Sequence, residues 1–286
     1  MKRSTIIILA VVFFVAALGL TFYPIISNYV NTLYASEIHT AYEEVIAHTD
    51  NSALLEAKEL AIAYNESITP GAAQDTYSQE SLQEASFDYE SQLNIGGDGI
   101  MGYVSVPKIG VNLPIYHGTN SDSLERGIGH LLGSSLPIGG ADTHSILTAH
   151  SGMASQKMFS DLPQLVVGDV FYLNVLDETL AYQVDQIETV LPHDTTYLGI
   201  EQNMDICTLV TCTPFGVNTH RLLIRGSRIP YEEAEVIEEA TTQVEAASTW
   251  EQQYIKGLVI GLAVVLIIVI IILSIWYIRR FHHGKR

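Results

Sequence analysis

One cysteine stands where a β-rich segment stops. Residues 208–214 read TLVTCTP, so Cys212 follows β-branched and apolar residues and precedes a proline two positions on. Proline cannot donate a ladder hydrogen bond, so the strand is expected to end there. The sulfur would then lie at a strand end beside a loop, where a substrate could reach it. A cysteine at a strand end is more often a small buried residue, and a nucleophilic thiol needs a nearby base or cation. Cys212 is therefore a candidate nucleophile in need of partners.

Histidine and arginine residues could supply that base and that cation. Arg221 follows Cys212 after a Pro-Phe-Gly loop, and a hairpin would return its guanidinium alongside the sulfur, where it could stabilise the negative oxygen of a tetrahedral intermediate. His150, in LTAHSG, follows a strand-like run and precedes a Ser-Gly turn. The pattern alone does not separate it from four other histidines: His117, His130, His144 and His220.

The chain has only two cysteines, Cys207 and Cys212. Five residues of a strand separate the sulfurs by about 16 Å and place them on opposite faces. A disulfide between them is therefore not expected. If this domain lies outside the cell, where disulfides can form, the presence of an unpaired thiol needs an explanation, and catalysis is one.

Short segments of period two must position these residues. From Gly99 onward they are separated by Gly, Pro, Asp and Asn, a pattern that predicts an all-β, closed barrel. The predicted strand-like runs are 103–106, 109–111, 113–116, 145–148, 170–175, 180–187, 207–212 and 222–224.

Apolar runs at both ends predict membrane spans. Residues 257–277 form an uncharged stretch long enough to cross a bilayer, and residues 6–22 form a second, for which retention as a signal anchor is favoured over cleavage. Basic residues flank the outer end of each run, which predicts that both termini are cytoplasmic and that the segment between them is extracellular. That segment holds all 32 acidic residues and only eight of the 14 Lys and Arg residues. Its strong negative charge argues against nucleic acid as a partner.

The segments beside the barrel have helical patterns. Apolar residues recur at helical spacing over 35–67, with a break at 49–52, and an acid-rich stretch over 231–253 also has helical character. Residues 69–94 are polar and predict a long loop or weak helix.

Three motifs together resemble the class C, or pilus-assembling, sortases: TLVTCTPFGVNTHRLLIRG, LTAHSG some sixty residues earlier, and GYVSVPKIGVNLPIYHG before that. The resemblance runs over most of 101–229 and implies an eight-stranded sortase β-barrel. It implies Cys212 as nucleophile, His150 as general acid/base and Arg221 as the oxyanion cation. It also implies cleavage of an LPXTG-like sorting signal after threonine, a thioester, and transfer to a lysine of the next pilin. No cofactor or metal is expected.

Two departures from the class C pattern accompany this resemblance. Such sortases usually cover the cysteine with a lid that carries an Asp-Pro-aromatic motif. The nearest match here, Asp75-Thr76-Tyr77, lacks the proline, so Asp75 and Tyr77 are candidate lid residues; Thr211 is a candidate substrate contact. Ser151 follows the histidine where relatives often carry arginine.

The predicted organisation places a helix in the membrane at each end of the chain. Its parts are a cytoplasmic tip and signal anchor (1–24), a helical stalk with the candidate lid (25–98), the barrel (99–230), an acidic juxtamembrane segment (231–256), a C-terminal transmembrane helix (257–278) and a basic cytoplasmic tail (279–286).

Three alternatives remain open at this stage. A housekeeping-type sortase would attach surface proteins to a cell-wall amine, and a catalytically silent scaffold would only bind sorting signals. A thiol oxidoreductase is the third, although the two cysteines lack C-x-x-C spacing.

Overall fold

The computed structural model describes residues 3–68, 89–153, 155–242, 254–263 and 265. They divide into two units, residues 1–245 and 246–286. The first holds a closed eight-stranded barrel with helices before and after it, which confirms the predicted barrel. In the second, the described residues form a short apolar helix, Tyr254–Ala263. Most of the predicted C-terminal span therefore lies outside the described residues.

The chain begins with α1, Arg3–His48, a continuous helix that contains Pro24. Within the described residues, α1 supplies the one helix long and apolar enough to cross a membrane. Its last turns bury Tyr42 and Ile46, one helical turn apart, against the barrel. The predicted break then separates α1 from α2, Asn51–Ser67, which buries Leu54 and Ala61.

Eight strands close the barrel in the order β1-β2-β3-β4-β7-β8-β6-β5, and β5 pairs with β1. The β2–β3 and β4–β7 pairs are parallel, and all the others are antiparallel. The strands are β1 Ile100–Val106, β2 Val111–His117, β3 Ile128–His130, β4 Thr143–Thr148, β5 Val170–Val175, β6 Glu178–Val190, β7 Asp205–Thr213 and β8 His220–Ile229. Two further helices are α3 Ser121–Arg126 and α4 Tyr231–Thr242.

One predicted strand-like run is wrong in part. Residues Pro107–Ile109 form a single 3₁₀ turn, and Gly110 follows it in the left-handed region with φ 60°. Proline brings no donor to a ladder, and glycine adopts positive φ without a steric cost, so the chain turns here between β1 and β2. β3 and α3 were not predicted.

Apolar side chains fill both faces of the sheet near β4, β7 and β8. Leu209 and Ile224 belong to the main core, whereas Val210 and Leu223, their neighbours in sequence, belong to a second buried cluster. Because side chains alternate along a strand, the second cluster lies on the outer face of the barrel. Leu198, in the β6–β7 loop, packs into it.

Candidate active site

The parallel pairing of β4 with β7 brings two chain segments to one edge of the barrel. Thr148, the last residue of β4, lies opposite Val210. The pairing continues one step further, because the Ala149 N–H donates to the Val210 carbonyl at 3.1 Å. Parallel strands end at the same edge, so the next positions place His150 beside Cys212.

Two hydroxyl groups hold these segments together beyond the end of β4. Thr211 Oγ1 donates to the Ala149 carbonyl at 2.8 Å, and Ser151 Oγ donates to the Cys212 carbonyl at 2.6 Å. Each contact joins the segment after β4 to β7 through a side-chain hydroxyl. The backbone separation between His150 and Cys212 is thereby fixed on both sides.

Arg221 reaches the same edge through the β7–β8 hairpin. The antiparallel register places it directly opposite Cys212, with Thr213 opposite His220 one step nearer the turn. Side chains that face each other in such a pair have Cβ atoms about 4.5–5.5 Å apart. The Arg221 Nη1 lies 3.4 Å from the His220 carbonyl, which bends the guanidinium toward the hairpin loop.

Alternation places the three side chains on one face. Ala149, Leu209 and Leu222 all belong to the main core, so the residue that precedes or follows each along an extended chain points outward. Cys212 shares the outer face with Val210, and Arg221 shares it with Leu223. The site therefore stands beside the outer apolar cluster, and Cys212, His150 and Arg221 are all partly exposed.

Burial controls the electrostatics of the site. It lowers the pKa of His150, and the carboxylate of Glu125 partly opposes that shift. A neutral imidazole is therefore favoured near pH 7. Neither cysteine is in a disulfide, as predicted. Burial and the Asp205 carboxylate raise the pKa of Cys207 well above its usual range. Cys207 is buried and Cys212 is only partly buried, so Cys212 is the more accessible thiol.

The structure sets three of the other four histidines apart from His150. His130 is fully buried, and the ring of His144 is held between the Gly199 carbonyl and Thr208 Oγ1, each at 2.7 Å. The ring of His117 contacts the carbonyls of Gln92 and Gly99. Like His150, His220 lies at the edge that carries Cys212.

The remaining predicted site residues have different outcomes. Asp75 and Tyr77 lie outside the described residues, so their lid role stays a prediction. Thr211 is fully buried with its hydroxyl bound to Ala149, and its substrate contact likewise stays a prediction. Sequence reasoning missed the contact of Ser151 and the influence of Glu125, and nothing in their spacing indicated either. Within the described residues, no group of His, Cys, Asp and Glu has the geometry of a metal site.

The site combines a cysteine outside any disulfide with a histidine and an arginine, at the edge of a closed barrel. This combination is typical of a β-barrel cysteine enzyme. The model of the Sortase domain matches residues 104–229. The structure resembles sortase C-1 of Streptococcus pneumoniae (42% identity, TM-score 0.64, 68% of this chain and 99% of that one) and a pilus-related sortase C of group B Streptococcus (42%, 0.60, 67% and 96%). The chain belongs to the sortase family of cysteine transpeptidases, and its structural neighbours are pilus-associated class C members.

A more distant relative is sortase D of Bacillus subtilis, 29% identical over 131 residues. The match covers 45% of this chain and 63% of that protein, less than two thirds of its length.

Proposed function

We propose that this chain is a membrane-anchored transpeptidase that cleaves an LPXTG-like sorting signal after its threonine and joins the new acyl end to a lysine of the next pilin subunit. The observation that carries the proposal is the arrangement of Cys212 on β7, Arg221 on β8 and His150 just past the end of β4, all at one edge of the barrel. The resemblance to a pilus-related sortase supports the choice of acceptor.

In the acylation step the Cys212 thiolate attacks the threonine carbonyl carbon and forms a C–S bond. The C–N bond to glycine then breaks, and the departing amine takes a proton from the His150 imidazolium. An unassisted thiol has a pKa of about 8.5, so a few per cent is thiolate at neutral pH. Because burial disfavours the charged imidazole, the reactive ion pair is expected to be a minor species.

Arg221 acts on the oxygen that gains charge during this attack. A guanidinium opposite the nucleophile can donate to the oxyanion of the tetrahedral intermediate, and such a donor is worth more there than in bulk water.

In the transfer step a lysine amine attacks the thioester carbonyl carbon and forms an isopeptide bond. The C–S bond breaks, the amine proton passes to the neutral His150, and the Cys212 thiolate is restored. Water could attack in place of the amine, so transfer depends on how well the acceptor lysine is held. We also propose that α1, which is long and apolar enough to cross a membrane, anchors the chain, with a second span at residues 257–278, both termini in the cytoplasm and the barrel outside.

The experiment begins with the full chain in detergent and a peptide that carries LPXTG. Intact-mass spectrometry should find the acyl group of the peptide on Cys212, with none on Cys212→Ala. Cys207→Ala, which changes the other thiol, is the matched control and should still form the adduct. A chain that binds the peptide without an adduct would be a scaffold and would refute the proposal.

The acceptor is tested separately. Purified pilin with its lysines intact should give ladders that survive boiling in detergent, and lysine-to-arginine pilin should not. A reaction that proceeds only with a cell-wall amine would instead indicate the housekeeping activity.

A further inference from the structure

The loop that begins at the candidate acid/base residue is closed at its base. We define the His150 loop as residues 150–160. The Phe159 N–H donates to the His150 carbonyl at 3.0 Å, and the Gly152 N–H donates to Ser160 Oγ, also at 3.0 Å. Phe159 is fully buried in the core. These contacts hold the two ends of the loop together, and other contacts hold its tip.

The tip of the His150 loop is held by α1, the helix proposed to anchor the chain in the membrane. Asn31 Nδ2, on α1, donates to the Ser155 carbonyl at 2.9 Å, and the Lys157 N–H donates to Asn28 Oδ1 at 2.9 Å. The two asparagines are three residues apart and so share one face of α1. Asn28 is 7% exposed, whereas the residues after it, Tyr29 and Val30, are exposed. This polar pair, on a largely exposed part of the helix, reaches the tip of the His150 loop.

Hydrogen bonds rather than close packing carry this contact. A cavity of about 240 Å³ lies at the junction, and its lining is mainly polar on the helix side, where Asn28, Asn31, Thr32 and Ser36 face it. The Lys157 side chain turns away to the Asp161 carboxylate, 2.9 Å from it. The tip has two further contacts, from Gln156 Nε2 to the Glu125 carbonyl and from Lys157 Nζ to the Ile109 carbonyl. Removal of the asparagine amides should therefore loosen the tip without opening an apolar core.

α1 is a suitable support because the barrel holds it at a second point. The Leu176 N–H donates to the buried Tyr42 hydroxyl at 3.0 Å. Fourteen residues of helix, about 21 Å, separate Tyr42 from Asn28. The helix is continuous over this distance, so the position of Asn28 and Asn31 relative to the barrel is set by two separate contacts.

We propose that Asn28 and Asn31 are positioning residues, which act through the His150 loop to set the orientation of the His150 imidazole relative to the Cys212 sulfur. The inference rests on the proposed function, because it assumes that the two groups form the reactive pair. Because the asparagines would act through the loop, their effect is expected on kcat and on the Cys212–His150 pair rather than on KM.

The experiment uses the full chain in detergent with Asn31→Asp, Asn31→Ala and the double variant N28A/N31A. Because Asn31 acts as a donor toward Ser155, Asp should fail as Ala does. The control is Thr40→Ala, which removes a side-chain hydrogen bond made within α1 on an exposed surface. The first readout needs no substrate: the rate of Cys212 alkylation by iodoacetamide against pH, with His150→Ala as the reference for a lost pair. Circular dichroism melts verify folding.

The double variant should shift the alkylation profile toward that of His150→Ala and lower kcat for the LPXTG peptide by about 10-fold with little change in KM, since small misplacements of a catalytic group cost this much or more. Thr40→Ala should match the wild type. Profiles and kcat that stay at wild-type values in all three asparagine variants would overturn the proposal. A His150→Ala profile identical to the wild type would refute the reactive pair itself, and thus the proposed function, whatever the asparagines do.

Discussion

The two cysteines should differ sharply toward an alkylating reagent. Cys212 is partly exposed at the barrel edge, whereas Cys207 is fully buried and its thiol has a raised pKa. Modification of Cys207 requires the barrel to open. A domain with a free energy of unfolding of at least about 5 kcal/mol is open in roughly one molecule in several thousand. We therefore expect Cys207 to react at least about 10³-fold more slowly than Cys212.

The assay is intact-mass spectrometry of the full chain treated with iodoacetamide at pH 7.5. The native protein should gain one adduct, Cys212→Ala should gain none over the same time, and denaturant should raise the number to two in the wild type. Raising the pH to 9 should speed the first adduct without producing the second. Two adducts at similar rates in the native protein would show that the β7 interior is open to solvent and that the reasoning from burial is wrong.

Three further outcomes are expected. Arg221→Ala should lower kcat for the LPXTG peptide by about 10²–10³-fold, and Arg221→Lys should recover part of that loss; equal kcat in wild type and Arg221→Ala would exclude the oxyanion role. Glu125→Gln should lower the pKa of His150, because the carboxylate stabilises the imidazolium; NMR titration of the ring measures it, and an unchanged or raised pKa would contradict the electrostatic assignment. Gly102→Ala should lower the free energy of unfolding by about 1–3 kcal/mol, since its Cβ would meet a backbone oxygen of β5 at 2.4 Å. Gly199→Ala, in open space, should not; urea melts compare the two.

Local patterns predicted the elements whose sequences repeat clearly. The run 170–175 was predicted as a strand and is β5 with the same bounds, and the break at 49–52 separates α1 from α2. β3 escaped prediction because a strand of three residues, IGH, is too short to show a period. Tertiary pairing with β2 and β4 on its two sides, rather than propensity, makes it a strand.

The candidate site divides in the same way between local and distant contacts. A hairpin is a local structure, so the proline after Cys212 and the loop that follows were enough to predict Arg221 opposite the sulfur, as the register has it. The family resemblance, rather than spacing, singled out His150 among the histidines. The contacts of Ser151 and of Asn31 join segments far apart in sequence, and no periodicity reveals such contacts.

The strand order explains why spacing in the sequence could not identify His150 as the partner of Cys212. β5 and β6 lie between β4 and β7 in the chain but not in the sheet, where β4 pairs directly with β7. The β5–β6 hairpin passes to the other side and closes the barrel against β1. β7 is thus held between β4 and β8, so backbone ladders on its two sides bring the base and the cation to the cysteine. The relative position of the three groups is therefore a property of the closed barrel, and the cysteine segment alone, with its hairpin intact, would retain Arg221 but lose His150.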